Sequence, residues 1–370
     1  MKSLGLYIHI PFCAKKCAYC DFHSCPGDKK AFSEYAKALC RHIEESNLTK
    51  SAYEVDTVYF GGGTPSLMPI REMERIVKAL YKNFNVRNDA EMTIEVNPDS
   101  ADLKHLKRLN TLGFNRISIG AQSSNNDELF TLGRIHDFEQ VKVAVENARS
   151  AGFSNLSLDL MYGIPHQTID SFRKSVEDIA SLSPEHISFY ALKLEEGTPM
   201  ARYAENYTFP DDDSVADMYL MAVELLKENG YIQYEISNFA KPGKLSRHNK
   251  KYWELKEYLG FGPSAHSFSN NLRFSYVKDT ESYIEGVLHS GVIVDKREEI
   301  HPYEQANEYV MLSLRTTDGI SPTEFENRYS IYFDELENKL NAPFDKEYII
   351  SVANEKLDYC FPEEVFFIVN

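Results

Sequence analysis

The chain has 370 residues, of which 43% are hydrophobic and 26% are charged, a composition that excludes a disordered or fibrous protein. Its 40 basic and 56 acidic residues give a net charge of −16, which argues against nucleic acid as the main partner. The longest apolar runs are far shorter than the ~18 residues that a membrane span requires, and no secretory signal is visible at the N-terminus, so we expect a cytoplasmic protein.

Short β-rich runs alternate with helical stretches through the first 240 residues. Runs rich in Val, Ile, Leu, Tyr and Phe predict strands at 5–10, 55–60, 92–96, 116–121, 156–161 and 186–192. Helical patterns lie between strands at 31–45, 69–84 and 169–182. Such β-then-α units imply right-handed crossovers and a parallel sheet of the α/β class, either doubly wound or curled into a barrel. We favour the barrel, because conspicuous glycines and polar residues lie at strand C-termini, where barrels gather functional residues.

The alternation ends after a helix predicted at 214–229. A stretch rich in glycine and aromatic residues follows at 231–275, and a distinct module begins near His301. In this module we expect a helix at 303–315, a turn at 317–319, a helix opening at 321–322 and a β-like tail at 365–369. The predicted organisation is a barrel core at 1–240, a connecting segment at 241–300 and a small C-terminal domain at 301–370.

Six cysteines are too few and too unevenly placed for a disulfide framework in a chain of this length. Four of the six lie between Cys13 and Cys25, which favours a metal site in a cytosolic protein. The other two are Cys40, on a predicted helix, and Cys360, near the end of the sequence. We interpret both as buried apolar residues.

Three cysteines in the loop after the first predicted strand, Cys13, Cys17 and Cys20, are spaced C-x3-C-x2-C. Three thiolates so close together can bind three irons of a [4Fe-4S] cluster and leave the fourth iron open to another ligand. The alternative is a closed tetrahedral zinc site with Cys25 or His23 as the fourth ligand. Structural zinc sites usually split their ligands into two separated pairs, so we favour the cluster.

This cysteine loop resembles that of the radical S-adenosylmethionine (SAM) superfamily. The resemblance narrows to the coproporphyrinogen oxidase-like subfamily through blocks at 7–13 (YIHIPFC), 60–66 (FGGGTPS), 93–98 (TIEVNP), 119–122 (IGAQ), 133–134 (GR) and 158–165 (LDLMYGIP). It implies a partial (β/α)6 TIM-like barrel with a small, mainly helical C-terminal domain. It also implies a [4Fe-4S] cluster whose open iron binds SAM, a cofactor that carries the radical chemistry itself.

Eight residues of these blocks match positions at which the subfamily binds SAM. They are Tyr7, Gly62, Gly63, Thr64, Glu95, Gln122, Arg134 and Asp159. Their chemistry suits the ligand, since carboxylates accept hydrogen bonds from ribose hydroxyls or an amino group, and an arginine can pair with a carboxylate. Each could alone be a structural polar residue, but four polar side chains at or just beyond strand ends favour a shared site.

Two groups within this subfamily differ near the cysteine loop. The oxygen-independent coproporphyrinogen III oxidases carry a further cysteine two residues beyond the cluster motif, where this chain has Phe22. They also have a long extension ahead of the first strand, whereas six residues precede Tyr7 here. Both differences separate the chain from the oxidases and favour the heme-chaperone group.

A motif downstream resembles the heme-chaperone group directly. Residues 248–253 (HNKKYW) fit its H-N-x-x-Y-W pattern and contain the only tryptophan of the chain. A neutral imidazole can ligate heme iron and aromatic rings can stack on a porphyrin, so we predict that His248 binds heme beside Tyr252 and Trp253. The alternative ligands are His9 and His266.

The resemblance implies a heme chaperone that binds heme, carries a [4Fe-4S] cluster with exchangeable SAM and delivers heme to acceptor proteins. Its partners would be heme, heme-accepting proteins, which can include a membrane-associated one, and an electron donor if SAM is cleaved. The leading alternative is the oxidase, which would make the chain a radical SAM enzyme of porphyrin biosynthesis. A cluster-bearing binding protein that never cleaves SAM, and a radical methyltransferase or RNA-modifying enzyme, also stay open.

Overall fold

The computed structural model describes residues 1–46 and 52–330. Six strands overlap the six predicted runs: β1 Lys2–Ile10, β2 Tyr53–Gly62, β3 Val86–Val96, β4 Arg116–Gln122, β5 Leu156–Tyr162 and β6 His186–Ala191. All six are parallel neighbours in sequence order, as repeated β-then-α units require. The predicted β-like tail at 365–369 and Cys360 lie outside the described residues.

Helices connect and cover these strands. In the described part they are α1 Lys29–Glu44, α2 Ile70–Asn83, α3 Leu103–Thr111, α4 Asn126–Thr131, α5 Phe138–Ser150, α6 Ile169–Ser181, α7 Pro199–Arg202, α8 Asp212–Glu228, α9 Arg247–Trp253, α10 Thr280–Leu288, α11 Pro302–Ser313 and α12 Pro322–Tyr329. Asp137 and Thr168 form capping boxes that fix the first turns of α5 and α6. Within the described residues no helix is both long and apolar enough to cross a membrane.

The strands after α8 extend the sheet at both edges. They are β7 Ile232–Glu235, β8 Asn238–Ala240, β9 Tyr258–Phe261, β10 His266–Ser269, β11 Leu272–Tyr276 and β12 Val294–Glu299. The strand order is β12-β11-β10-β9-β1-β2-β3-β4-β5-β6-β8-β7, so the segment at 241–300, expected to connect two domains, contributes four strands. Among the described strands the two edges, β12 and β7, do not pair with each other, which leaves the barrel partial.

Side chains alternate between the two faces of the curled sheet, and the two faces differ in chemistry. On β4, Ile117 and Ile119 belong to the apolar core, while Arg116 and Ser118 line an interior cavity. The same alternation places Asp159 of β5 in that cavity. Because side chains from β2 through β6 line this one cavity, the sheet is curled, and the barrel prediction is confirmed.

The C-terminal module packs directly on α9, the helix that carries the H-N-x-x-Y-W pattern. Trp253 shares an apolar cluster with Leu312 of α11, and the Arg315 guanidinium lies 5.0 Å from the Trp253 ring centroid, within cation–π range. Lys250 forms a 2.7 Å ion pair with Asp318, which follows α11. The module therefore covers one side of this helix.

Five histidines buried in this fold predict a strong dependence of stability on acid. They are His9, His42, His136, His186 and His248. Burial lowers the pKa of each, to about 3 for His248. Below about pH 6.5 the histidines of the unfolded chain bind protons, whereas the buried rings of the native protein stay neutral. The free energy of unfolding therefore decreases as the pH is lowered. We expect a loss of about 1 kcal/mol per histidine between pH 6.5 and 5.5 in urea unfolding.

A pair of variants tests the cause of this acid dependence. His42, bonded through Nδ1 to the Tyr283 hydroxyl at 2.8 Å, is buried, and His42→Gln should reduce the pH slope by about one proton. The exposed His289 serves as the control, and His289→Gln should leave the slope unchanged. Equal slopes in all three proteins would contradict this explanation.

Candidate functional site

The cysteine loop is closed at its base by two backbone hydrogen bonds. The Cys13 N–H donates to the Cys25 carbonyl at 3.1 Å, and the Cys25 N–H donates to the Pro11 carbonyl at 2.8 Å. Held in this way, Cys13, Cys17 and Cys20 all line the interior cavity. Burial, and next the neighbouring Cys17 thiol, raise the pKa of Cys20 to about 12, so iron binding there must displace a proton.

Cys25 and His23, the candidate fourth ligands of a zinc site, both turn toward α10. His23 Nε2 lies 3.1 Å from the Thr280 hydroxyl, and Cys25 Sγ lies 3.9 Å from the same oxygen. Neither belongs to the described residues that line the cavity. The arrangement fits a cluster with three cysteine ligands better than a closed four-ligand zinc site.

The glycine segment after β2 lies against the backbone of the cysteine loop. The Gly63 and Thr64 N–H groups donate to the Ile10 and Phe12 carbonyls, both at 2.7 Å. A Cβ on Gly63 would lie 2.6 Å from the Phe12 carbonyl oxygen, so any larger residue would force the two segments apart. Gly62 has a φ of +110°, a conformation that glycine adopts without strain. These glycines are therefore needed to dock the cysteine loop.

Glu95, at the end of β3, is held by two donors. The Tyr59 hydroxyl donates to Oε1 at 2.8 Å, and the Gly62 N–H donates to Oε2 at 3.1 Å. Burial raises the pKa of Glu95 to about 7, against the effect of the Tyr59 hydrogen bond. An ammonium group bound beside this carboxylate would favour its charged form.

Asp159 and Gln122 face the same cavity from β5 and β4. Asp159 accepts a 3.1 Å hydrogen bond from the Ser118 hydroxyl, and burial raises its pKa. Gln122 has a φ of +69°, which is uncommon outside glycine and is a feature of functional sites. Its Oε1 accepts a 3.3 Å hydrogen bond from the Tyr190 hydroxyl. A carboxylate and an amide are thus presented to one space.

Arg134, which follows α4, ties the cysteine loop to the ends of two strands. Its guanidinium donates to the Gly120 carbonyl at 2.8 Å, to Asn97 Oδ1 at 2.9 Å and to Cys17 Sγ at 3.4 Å. The residue predicted to bind SAM therefore also positions one of the three predicted iron ligands.

These side chains line one cavity of about 220 Å³. This volume is well above the space that one water molecule needs. The predicted residues that line it are Cys13, Cys17, Cys20, Gly62, Gly63, Thr64, Glu95, Gln122, Arg134 and Asp159. Tyr7 is not among them: its ring stacks on Tyr59 with centroids 6.2 Å apart, and its hydroxyl lies 3.1 Å from His9 Nδ1. Ten of the eleven residues predicted for the cluster and SAM thus share one space.

His248 lies behind the cavity wall and is 1% exposed. Its Nδ1 lies 2.9 Å from the Thr57 hydroxyl, its Nε2 lies 2.9 Å from the Tyr252 hydroxyl, and its ring stacks on Tyr59. Burial keeps the ring neutral by lowering its pKa to about 3. Because both ring nitrogens are engaged, this structure does not present His248 as a free heme ligand. The motif residue that lines the cavity is its neighbour Asn249.

Sequence reasoning missed several residues that line the cavity, among them Tyr59, Asn97, Arg116 and Asn249. The strand residues had a signal: polar side chains recur at every second position, as at 57 and 59, 93 and 95, and 116 and 118. In strands whose other positions are apolar, this pattern indicates a polar interior face. Of the alternative heme ligands, His9 is buried and His266 is half-buried.

Comparisons with known proteins show which family the chain resembles over its length. Residues 7–179 match the sequence profile of the radical SAM superfamily. The heme chaperone HemW of Bacillus subtilis is 34% identical over 91% of this chain and 89% of its own length, and that of Escherichia coli is 30% identical over 96% and 93%. The structure of coproporphyrinogen III oxidase from Escherichia coli, a radical SAM enzyme, superimposes with a TM-score of 0.81 at 25% identity, covering 93% of this chain and 85% of that one.

The C-x3-C-x2-C spacing, with all three cysteines on one cavity, predicts which cysteines hold iron. Replacing Cys13, Cys17 or Cys20 with alanine should each abolish a reconstituted [4Fe-4S] cluster, because three ligands leave no redundancy. Cys25→Ala is the matched control and should keep its iron and sulfide content and its visible absorption, since Cys25 faces Thr280. Loss of the cluster in Cys25→Ala with retention in Cys20→Ala would contradict the assignment.

The state of Glu95 predicts that SAM binding depends on pH. A pKa of about 7 leaves the carboxylate mostly protonated at pH 6 and mostly charged at pH 8, so affinity for the SAM ammonium should rise about tenfold over that range. Equilibrium binding to the reconstituted protein measures this change. Glu95→Gln should bind more weakly and lose the pH step, whereas Asp159→Asn should bind more weakly and keep it. A step that persists in Glu95→Gln would assign the titration to another group.

Proposed function

Because the chain belongs to the HemW family of heme chaperones within the radical SAM superfamily, we propose that it binds heme, carries a [4Fe-4S] cluster with exchangeable SAM and delivers heme to acceptor proteins. The observation that carries this proposal is the similarity to heme chaperones over nearly the whole chain. The cavity supports it, since the cysteine loop and the residues proposed for SAM meet there.

The chain's own residues divide the work of holding the cofactors. We assign Cys13, Cys17 and Cys20 to the cluster, which when bound supplies an open iron and an electron for cleavage of SAM. Glu95, whose carboxylate is held in place by the Tyr59 hydroxyl and the Gly62 N–H, would bind the SAM amino group. Asp159, Gln122, Thr64 and the glycines would surround the rest of the molecule, and Arg134 would pair with its carboxylate.

The oxidase is the second candidate function, because the Escherichia coli enzyme shares the fold. The side chain at position 22 argues against it. Phe22 lines the cavity where the oxidases resembled by this chain carry a thiol. An apolar ring cannot replace a thiol in any step that needs a proton or a metal ligand.

Location and partners complete the proposal. We place the protein in the cytoplasm and infer heme-accepting proteins, which can include a membrane-associated one, as its partners. An electron donor is needed only if SAM is cleaved during the cycle. The net charge of −16 makes nucleic acid an unfavourable partner.

Titration with two tetrapyrroles separates the chaperone from the oxidase. The anaerobically reconstituted protein should bind heme, with a shift of the Soret band, and should not convert coproporphyrinogen III into protoporphyrinogen IX under reducing conditions. A known oxidase assayed in parallel controls for substrate quality. Sustained decarboxylation by this chain would establish the oxidase function instead, and failure to bind heme would remove the chaperone function.

We further propose that His248 ligates the heme iron through Nε2, after the hydrogen bond between this nitrogen and the Tyr252 hydroxyl is broken. Nε2 is engaged by the Tyr252 hydroxyl at 2.9 Å, so Tyr252→Phe should free the nitrogen and tighten heme binding about two- to tenfold. His248→Ala should change the Soret spectrum and keep the iron–sulfur absorption, while His266→Ala should change neither. An unchanged spectrum in His248→Ala, with a changed one in His266→Ala, would transfer the ligand role to His266.

A further inference from the structure

Two arginines line the cavity, and they differ in their partners. Arg134 is held by three acceptors of the protein, Gly120, Asn97 and Cys17. Arg116 is 1% exposed, and its Nε is buried without a hydrogen-bond partner. Within the described ranges 1–46 and 52–330 no hydrogen bond or ion pair is found for its terminal nitrogens either. A buried charged group without a hydrogen-bond partner is unfavourable. Arg116 therefore has hydrogen-bond donors that no acceptor of the described residues uses.

The nearby carboxylates do not serve as that acceptor. Glu95 is oriented by Tyr59 and the Gly62 N–H, and Asp159 is oriented by serine hydroxyls, including that of Ser118. Burial raises the pKa of both carboxylates and the charge of Arg116 lowers it in part, but no ion pair within 4.0 Å joins Arg116 to either of them in the described ranges. They moderate the field around Arg116 at longer range, but its donors stay unused.

Two asparagines of the cavity lining also carry polar side-chain atoms without a partner among the described residues. Asn238 Oδ1 is buried without a hydrogen-bond partner in the described part of the chain. The side-chain amide of Asn249, in the H-N-x-x-Y-W motif, has no described partner either and lines the cavity beside it. Asn238 Oδ1 is an acceptor, and the Nδ2 group of the same amide already donates to Glu235, so this residue adds no donor for an anion. The guanidinium of Arg116 and the amide N–H groups of Asn249 are the donors that can recognise a carboxylate.

We propose that the interior cavity contains a carboxylate-binding subsite, in which Arg116 is the cation and Asn249 an additional donor. The group that binds there is a propionate side chain of the heme. This inference rests on the proposed heme binding. Propionates are the anionic groups of a largely apolar ligand, and a protein of net charge −16 needs a local cation to accept them. The carboxylate of SAM already has a candidate partner in Arg134.

Heme and heme dimethyl ester, in which both propionates are esterified, provide the test. The reconstituted protein is titrated with each under anaerobic conditions, and binding is followed at the Soret band. Wild type should prefer heme by about ten- to hundredfold, the value of a charge-assisted hydrogen bond. Arg116→Gln should reduce heme affinity to that of the ester and leave ester binding unchanged, and Arg116→Lys should restore part of the preference.

Control variants and a competitor sharpen the result. Arg273 is half-buried and forms a bidentate pair with Glu308 outside the cavity, so Arg273→Gln changes the net charge equally and should keep the preference for heme. Asn249→Asp places a negative charge in the subsite and should weaken heme more than ester. Excess sodium propionate shows whether a free acid can occupy the same site. Cluster absorption and circular dichroism check folding.

Four results would overturn the subsite. An unchanged heme-to-ester ratio in Arg116→Gln would mean that water satisfies the guanidinium. Weaker SAM binding in this variant, with the ratio retained, would assign Arg116 to the SAM carboxylate. Competition by propionate without discrimination against the ester would assign the subsite to a free acid. If wild type binds heme and the ester equally well, only the proposed subsite is contradicted. If wild type binds neither ligand, the proposed heme-chaperone function is contradicted as well.

Discussion

The close backbone contact between the glycine segment after β2 and the cysteine loop after β1 fixes the geometry on which the site depends. Two 2.7 Å hydrogen bonds join the segments, and no space remains for a Cβ at Gly63. The loop itself contains no helix or strand among residues 13–20, so its thiols are placed by its neighbours. Arg134 adds a further restraint through Cys17. Cluster binding and the start of the SAM pocket are thus built from one contact.

The polar interior of the barrel sets the charge states of the site. Desolvation raises the pKa values of Glu95 and Asp159 and lowers those of His186 and His248, so the interior disfavours charge of either sign. Charged groups in such a place are stable only when a ligand or a neighbour compensates them. Arg116 is the exception among them, because the described residues supply it with no direct partner. The lumen is therefore electrostatically prepared for ligands that carry complementary charges.

The H-N-x-x-Y-W helix has a structural role as well as the proposed role in heme binding. His248 stacks on Tyr59, which orients Glu95, and Trp253 is packed under the C-terminal module. A heme that engages this helix must compete with both sets of contacts. The proposed heme binding, the Glu95 contact proposed for the SAM amino group and the position of the C-terminal module would consequently be linked through one short helix, and linkage of this kind acts equally in both directions.

The sequence by itself determined the elements and the chemistry of the loop. Six strand runs, the C-x3-C-x2-C spacing and the polar residues at strand ends could be read because local periodicity and motif spacing survive without tertiary information. It could not reveal that residues 241–300 extend the sheet, that Tyr7 and His248 lie behind the cavity, or that Arg116 faces it without a partner. Pairing between distant strands, and which nitrogen or hydroxyl a buried ring meets, arise only when the chain closes around its core. Those contacts join residues as far apart as Thr57 and His248, and no local pattern records them.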